Sequence, residues 1–173
     1  MFDTLGVVAK RLDEADVPWA VFAGAAAVVH GAERPITDID IIVAQVWGER
    51  VVALFPEADL ERDEEGALVL IALPGVDIVP GLGFTDLDRE MEAHAKRHAL
   101  GGLDVPVVGV EDNVLIKGMA GRGADEGKRD WADVEEMLEQ ARELDWAYMR
   151  WRAGTYPDQG RAAEVMARVE ALS

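Results

Sequence analysis

The sequence contains no cysteine. That excludes disulfide frameworks, zinc–thiolate centres and thiol nucleophiles, and leaves the redox compartment open. Histidine is scarce, with only His30, His94 and His98. The last two are four apart on what reads as a helix, the spacing of a metal pair. No third ligand lies nearby in sequence, so a solvated helix face is the simpler reading. Positive charge is also short: 17 Lys and Arg stand against 34 Asp and Glu, a formal net charge of −17. Non-specific grip on nucleic acid needs clustered Lys and Arg, so a broad polyanion-binding surface is not expected. A small or cationic partner is compatible with this balance, although most of the acid serves only solubility. Long apolar runs are missing too. The longest uncharged stretch, Val17 to Ala32, is shorter than the roughly 20 residues of a membrane span and contains Pro18, Gly24 and Gly31. Asp3, Lys10, Arg11 and Asp13 break any leader-like run. A soluble, cytoplasmic chain with no membrane association is expected. There are no internal repeats and no low-complexity tract.

What is present is a globular composition: half of the 173 residues are hydrophobic, enough for a real core. Apolar residues at Leu5, Val8, Leu12 and Ala15 predict a helix from about Phe2 to Asp16. Trp19 to Ala23 reads as a buried strand, Ala25 to His30 as a helix of small residues ended by Gly31, and Thr37 to Val43 as a second strand. A helix over Trp47 to Leu54 follows. The run Ala67 to Leu73 predicts a central strand, and Pro74–Gly75 turns it into Val76 to Val79 as a hairpin. Thr85 to Arg97 reads as a polar helix and Val105 to Val110 as a strand. Helices are predicted over Glu111 to Ala120, Lys128 to Arg142 and Ala162 to Leu172. The fold class is therefore α/β (α+β): a small mixed sheet flanked by helices over residues 1–110, with a C-terminal helical segment, 111–173, packed on it.

The stretch Val21 to Val43, VFAGAAAVVHGAERPITDIDIIV, concentrates the chemistry. Residues two apart on a strand share a face. Asp38 and Asp40 therefore point together while Ile39, Ile41 and Val43 enter the core. Two such carboxylates repel unless a cation intervenes. A two-metal phosphoryl-transfer site needs about three acids around two divalent ions, and magnesium accepts carboxylates plus substrate phosphates and water. The third acid should lie on an adjacent strand, and Asp77, flanked by Val76 and Ile78, fits. Gly24 before Ala25 allows backbone to approach a phosphate at a helix start, though tight packing accounts for such a glycine equally well.

Gly24–Ala25, a spacer and Asp38–Ile39–Asp40–Ile41 resemble the signature of the DNA polymerase beta-like nucleotidyltransferases. The second turn position there is usually Gly or Ser, and here it is Ala25. Asp112 to Lys117 (DNVLIK), then Arg129–Asp130 and Asp133–Val134, resemble the C-terminal motifs of bacterial abortive-infection and antitoxin-partnered members. Small aminoglycoside-type nucleotidyltransferases are similar in size and motif spacing. The resemblance implies a nucleotidyltransferase core that uses two Mg2+ ions and an NTP, with Asp38, Asp40 and Asp77 as catalytic metal ligands. It implies that Gly24 and Ala25 hold the triphosphate, that Lys117 contacts the phosphates, and that Asp130 orients Lys117 or the substrate. Acceptor choices are an RNA 3′ end, such as that of tRNA, or a small molecule, and an antitoxin-like protein partner is part of the toxin-type pattern. The alternative is a non-catalytic nucleotide-binding or protein-interaction module.

Lys117 and Asp130 equally fit a structural ion pair, and Arg34 either faces a phosphate or packs beside Pro35. Thr37 is expected to bond nearby backbone. Trp131, Trp146 and Trp151 read as packing aromatics rather than base platforms. The acid runs Asp59 to Glu65 and Glu135 to Glu143 read as solvated faces.

Overall fold

A computed structural model describes residues 1–173. Its centre is a seven-stranded mixed sheet. The strands are β1 (Trp19–Phe22), β2 (Ile39–Val43), β3 (Asp59–Arg62), β4 (Leu68–Leu73), β5 (Val76–Pro80), β6 (Lys96–Leu100) and β7 (Leu103–Val107). Their spatial order is β3-β4-β5-β2-β1-β7-β6. Pairs β2–β5 and β1–β7 are parallel, and the remaining pairs are antiparallel. On β2, Ile39, Ile41 and Val43 are fully buried while Asp40 is only partly so, as the period-two pattern requires.

The helices are α1 (Phe2–Glu14), α2 (Ala23–Val29), α3 (Gly48–Leu54), α4 (Arg89–His94), α5 (Val110–Ala120), α6 (Asp130–Gln140), α7 (Trp146–Ala153) and α8 (Gln159–Leu172). Two apolar clusters hold them. One joins the sheet to α1 through Leu5, Val8 and Leu12, and the other joins α5, α6, α7 and α8 to Ala27 and Ala32 of the α2 region. α5 is the hinge-pin, buried from Asp112 to Gly118. Gly118 lets α8 come close: a Cβ there would lie 2.6 Å from Val165.

Several expected elements move. Ala23 is not the end of a strand but the first residue of α2, entered with a left-handed φ of 52°. The helix therefore starts two residues before Ala25. The acid run from Asp59 is not merely a solvated face. It begins an edge strand, β3, whose exposed charges discourage further pairing, and β4 lies one strand in from that edge rather than at the sheet centre. The helix expected from Thr85 to Arg97 shortens to α4, because Lys96–Leu100 pairs with β7. This separates His94, at the end of α4, from His98, on β6. They share no helix face: His94 stacks on Tyr148 at 3.7 Å, and His98 meets His30 edge-on at 5.9 Å. Helix α7 was hidden by a weakly amphipathic pattern.

Candidate active site

The path from β1 into α2, the lead-in to β2, and the segment joining α5 to α6 meet around one open cleft of about 450 Å³. Asp38 and Asp40 enter from β2 and the residue before it, and Ala23 and Gly24 form the opposite wall. Asp77 lies beside Asp40 as its register partner on parallel β5. The Thr37 hydroxyl donates to Asp38 Oδ1 at 2.9 Å, a side-chain bond where a backbone bond was expected. Asp40 is raised to about 6 by burial and by the charges of Asp38 and Asp77, with Lys128 and Lys117 opposing. Asp77 is raised by burial, then by Asp38 and Glu61. Asp38 thus makes both Asp40 and Asp77 harder to ionise, the electrostatic deficit that a cation would offset.

The remaining wall is cationic. Arg34, Lys117, Arg122, Lys128 and Arg129 all line the cleft, so five of the chain's 17 positive residues share one small volume. Two buried carboxylates hold four of them. Asp130 accepts from Lys117 Nζ at 2.8 Å and from Arg122 Nε at 2.9 Å. Asp133 pairs with Lys117 at 2.8 Å, Arg34 at 3.0 Å and Arg129 at 2.9 Å. Burial pushes Asp130 up, but Lys117 and Arg122 outweigh it and hold the group below the ordinary carboxylate range. The Lys128 ammonium is exposed and makes no such pair.

A mixed sheet carrying an Asp pair beside a third Asp, under a helix that follows β1, decides the architecture. The chain has the nucleotidyltransferase fold. It superposes on the antibiotic-resistance factor ANT(2'')-Ia with a TM-score of 0.54 at 14% identity, over 96% of this chain and 89% of that one. The lincosamide antibiotic adenylyltransferase LnuA, solved with lincomycin bound, gives 0.54 at 13% identity over 82% and 98%. A nucleotidyltransferase-like protein from Paracoccidioides brasiliensis gives 0.52 at 16% identity over 94% and 91%. No protein-family model matches the sequence, and no curated protein matches it.

Within this nucleotidyltransferase fold, the cleft gathers Asp38, Asp40, Gly24, Arg34, Lys117 and Asp130. Asp77 sits next to the cleft on β5 rather than in its wall. Ala25 does not take part through its side chain. It is the third residue of α2 and fully buried in the core, so Ala23–Gly24 supplies the close backbone approach instead. Because α2 has only seven residues, the positive character of the cleft comes from side chains rather than from a long helix dipole. Lys117 and Asp130 form the ion pair between α5 and α6 that their types allowed, and this same pair faces the cleft. Trp131, Trp146 and Trp151 lie outside it, and Arg168 covers Trp131 at 3.7 Å.

Sequence reasoning missed Arg122, Lys128 and Asn113. Arg122 and Lys128 sit in GRGADEGKR, a basic, glycine-rich patch in an otherwise acidic chain, which is a readable signal. Asn113 is fully buried on α5, and its Nδ2 donates to the carbonyl of Ala23 at 3.1 Å. It pins the strained residue at which β1 becomes α2. An Asn inside an apolar helix was the clue.

The donor set suits a hard divalent ion. Asp38, Asp40 and Asp77 offer only carboxylate oxygens, and burial with the neighbouring carboxylates makes Asp40 harder to ionise. No three His, Cys, Asp or Glu side chains, Asp38, Asp40 and Asp77 included, converge closely enough to hold a metal ion on their own. Such a set fits an ion that completes its shell with water and substrate phosphates, which is the habit of magnesium.

Proposed function

We propose that this chain transfers a nucleoside monophosphate from an NTP to an acceptor hydroxyl, with magnesium. The observation that carries this reading is the meeting of Asp38 and Asp40 with five cations in one cleft of a chain whose net charge is −17. The surface repels polyanions, while this cleft is built to hold one. Arg34, Arg122, Lys128 and Arg129 bind the triphosphate, and Asp130 and Asp133 fix the directions of Lys117, Arg34, Arg122 and Arg129. Gly24 leaves room for phosphate oxygens against the backbone.

Asp38, Asp40 and Asp77 would hold two Mg2+ ions, together with substrate phosphates and water, and the ions would offset charge at the transferring phosphoryl group. The acceptor oxygen forms a bond to the α-phosphorus, the bond to the β-phosphate oxygen breaks, and pyrophosphate leaves with that electron pair. Asp77 takes the hydroxyl proton. A small-molecule acceptor is favoured over an RNA 3′ end, because outside the cleft the acid-rich surface lacks the Lys and Arg clusters that RNA requires. ANT(2'')-Ia and LnuA, which share the fold, are named for antibiotics. An antitoxin-like partner finds no support in the cleft itself.

The test is magnesium-dependent pyrophosphate release from labelled NTPs with an acceptor library, for the native protein and Asp38→Ala. Loss of turnover with retained thermal stability supports the assignment. Unchanged turnover in Asp38→Ala would sink it, and NTP binding without turnover on any acceptor favours the non-catalytic reading.

A further inference from the structure

A second cavity, about 290 Å³, adjoins the cationic cleft at Asp40. It shares Ala23, Asp40, Lys117, Arg122 and Lys128 with the cationic cleft, but its body is apolar: Phe22, Val79, Leu82, Phe84, Ile116 and Ala120. Its floor is the sheet face that carries Asp40. Phe22 is the antiparallel register partner of Asp40, and Val79 lies two residues beyond Asp77, hence on the same face of β5. Phe84 is fixed edge-on against Tyr156 at 5.4 Å, so this wall is preformed.

Resting on the nucleotidyl-transfer reading, we propose that this cavity is the acceptor subsite, and that the acceptor is an uncharged or anionic hydroxyl compound with an aromatic or otherwise apolar body. In-line displacement puts the nucleophile and the leaving pyrophosphate on opposite sides of the α-phosphorus. Two cavities that meet at a proposed metal ligand supply those two sides. The cation-lined one takes the triphosphate, so the apolar one takes the carrier of the nucleophile. The acceptor O–H oxygen bonds to the α-phosphorus, pyrophosphate departs with the electrons of the broken bond, and the proton goes to Asp77 or to water. The charge of the lining selects the class. Three cations and a single carboxylate border the apolar walls, so a polycationic amine meets more repulsion than attraction. A ribose of an RNA end would leave its hydroxyls unpaired against Val79, Leu82 and Phe84, a cost that apolar groups avoid.

The probe is 2-naphthol, titrated by its own fluorescence with and without saturating Mg2+ and α,β-methylene-ATP. The native protein should bind naphthol and nucleotide together. Ala120→Trp, at the exposed end of α5 and outside the cationic cleft, fills the mouth of the cavity. It should weaken naphthol at least tenfold and leave nucleotide affinity within twofold. Leu82→Asp should do the same if Ala120→Trp proves misfolded by circular dichroism. Four results overturn the proposal. Competition between nucleotide and naphthol would assign the cavity to the base. Displacement of naphthol by tobramycin would reverse the charge preference. Nucleotide binding without any naphthol binding would remove the subsite and leave the nucleotidyl-transfer reading standing. Failure to bind nucleotide at all would refute that reading and the acceptor role with it.

Discussion

Lys117→Met removes one charge from a buried ionic cluster and nearly preserves side-chain volume. Lys117 is 4% exposed and bridges Asp130 and Asp133, each at 2.8 Å. Removing one partner from a buried ion pair typically costs about 3–5 kcal/mol, because the other charge stays behind unpaired. Here the carboxylates keep company. Asp130 retains Arg122, and Asp133 retains Arg34 and Arg129. The cost therefore falls at the lower end, about 3 kcal/mol. With a urea slope of about 2 kcal/mol per molar, the midpoint should drop by about 1.5 M, and the melting temperature by about 6–12 °C for a chain of this size. Acid supplies an internal control. Asp130 lies below the ordinary carboxylate range in the folded protein, so its contribution is present above about pH 4 and fades as pH falls through the folded value. The variant has lost part of that depression. The gap between native and variant should narrow when urea melts are repeated below about pH 4. A midpoint shift under about 0.5 M at neutral pH, or a gap that stays constant into acid, would refute the assignment of stability to this cluster.

Lys128→Met should do the reverse: its ammonium is exposed and unpaired, so stability should stay within about 0.5 kcal/mol while NTP affinity, read by calorimetry, falls several-fold. Gly24→Ala should also separate the two properties. A Cβ at Gly24 would meet only the Arg34 guanidinium, at 3.5 Å, so the helix gains up to about 1 kcal/mol in a thermal melt, while the methyl group in the cleft weakens NTP binding. Asp40→Asn should stabilise the metal-free protein, by up to about 3 kcal/mol if the whole shift from 3.8 to about 6 is relieved. The sign follows from linkage. The folded carboxyl holds its proton more tightly than the unfolded one, so native stability should rise as pH falls from neutral through about 6, and the advantage of the Asn variant should shrink over that window. Added Mg2+ should raise the melting temperature of the native protein and not of the variant.

The β2 register was legible because alternation on a strand is strict: Ile39 and Ile41 inward leaves Asp38 and Asp40 together on the other face. The Asp77 position was legible because a lone acid among Val76, Ile78 and Val79 is costly in a strand unless a cation compensates it. β6 was not. Lys96, Arg97 and His98 carry no apolar alternation, and they form a strand only because β7 offers them an edge, pairing Arg97 opposite Pro106 and His98 opposite Val105. β3 was hidden for the same reason, since all four of its residues are exposed. The start of α2 was misplaced because a left-handed Ala23 breaks the expectation that glycine takes such a conformation. That strain is held by Asn113, ninety positions away, which no local pattern reports.

Net charge gave the weakest guidance to the site, and the geometry shows why. A sum of −17 averages over solvated faces such as β3 and the outer side of α6, where Glu33, Glu135, Glu136 and Glu139 line a shallow acidic surface hollow. It says nothing about the segment from Arg122 to Arg129, which folds back over Asp38 and Asp40. Four of the five cleft cations are positioned by only two carboxylates, both buried on α6. Buried acids therefore gather the cationic wall: Asp130 pairs with two of the cleft cations and Asp133 with three. That arrangement leaves the cleft with more cations than carboxylates in a strongly acidic chain, and Asp133 alone touches three of those cations at once.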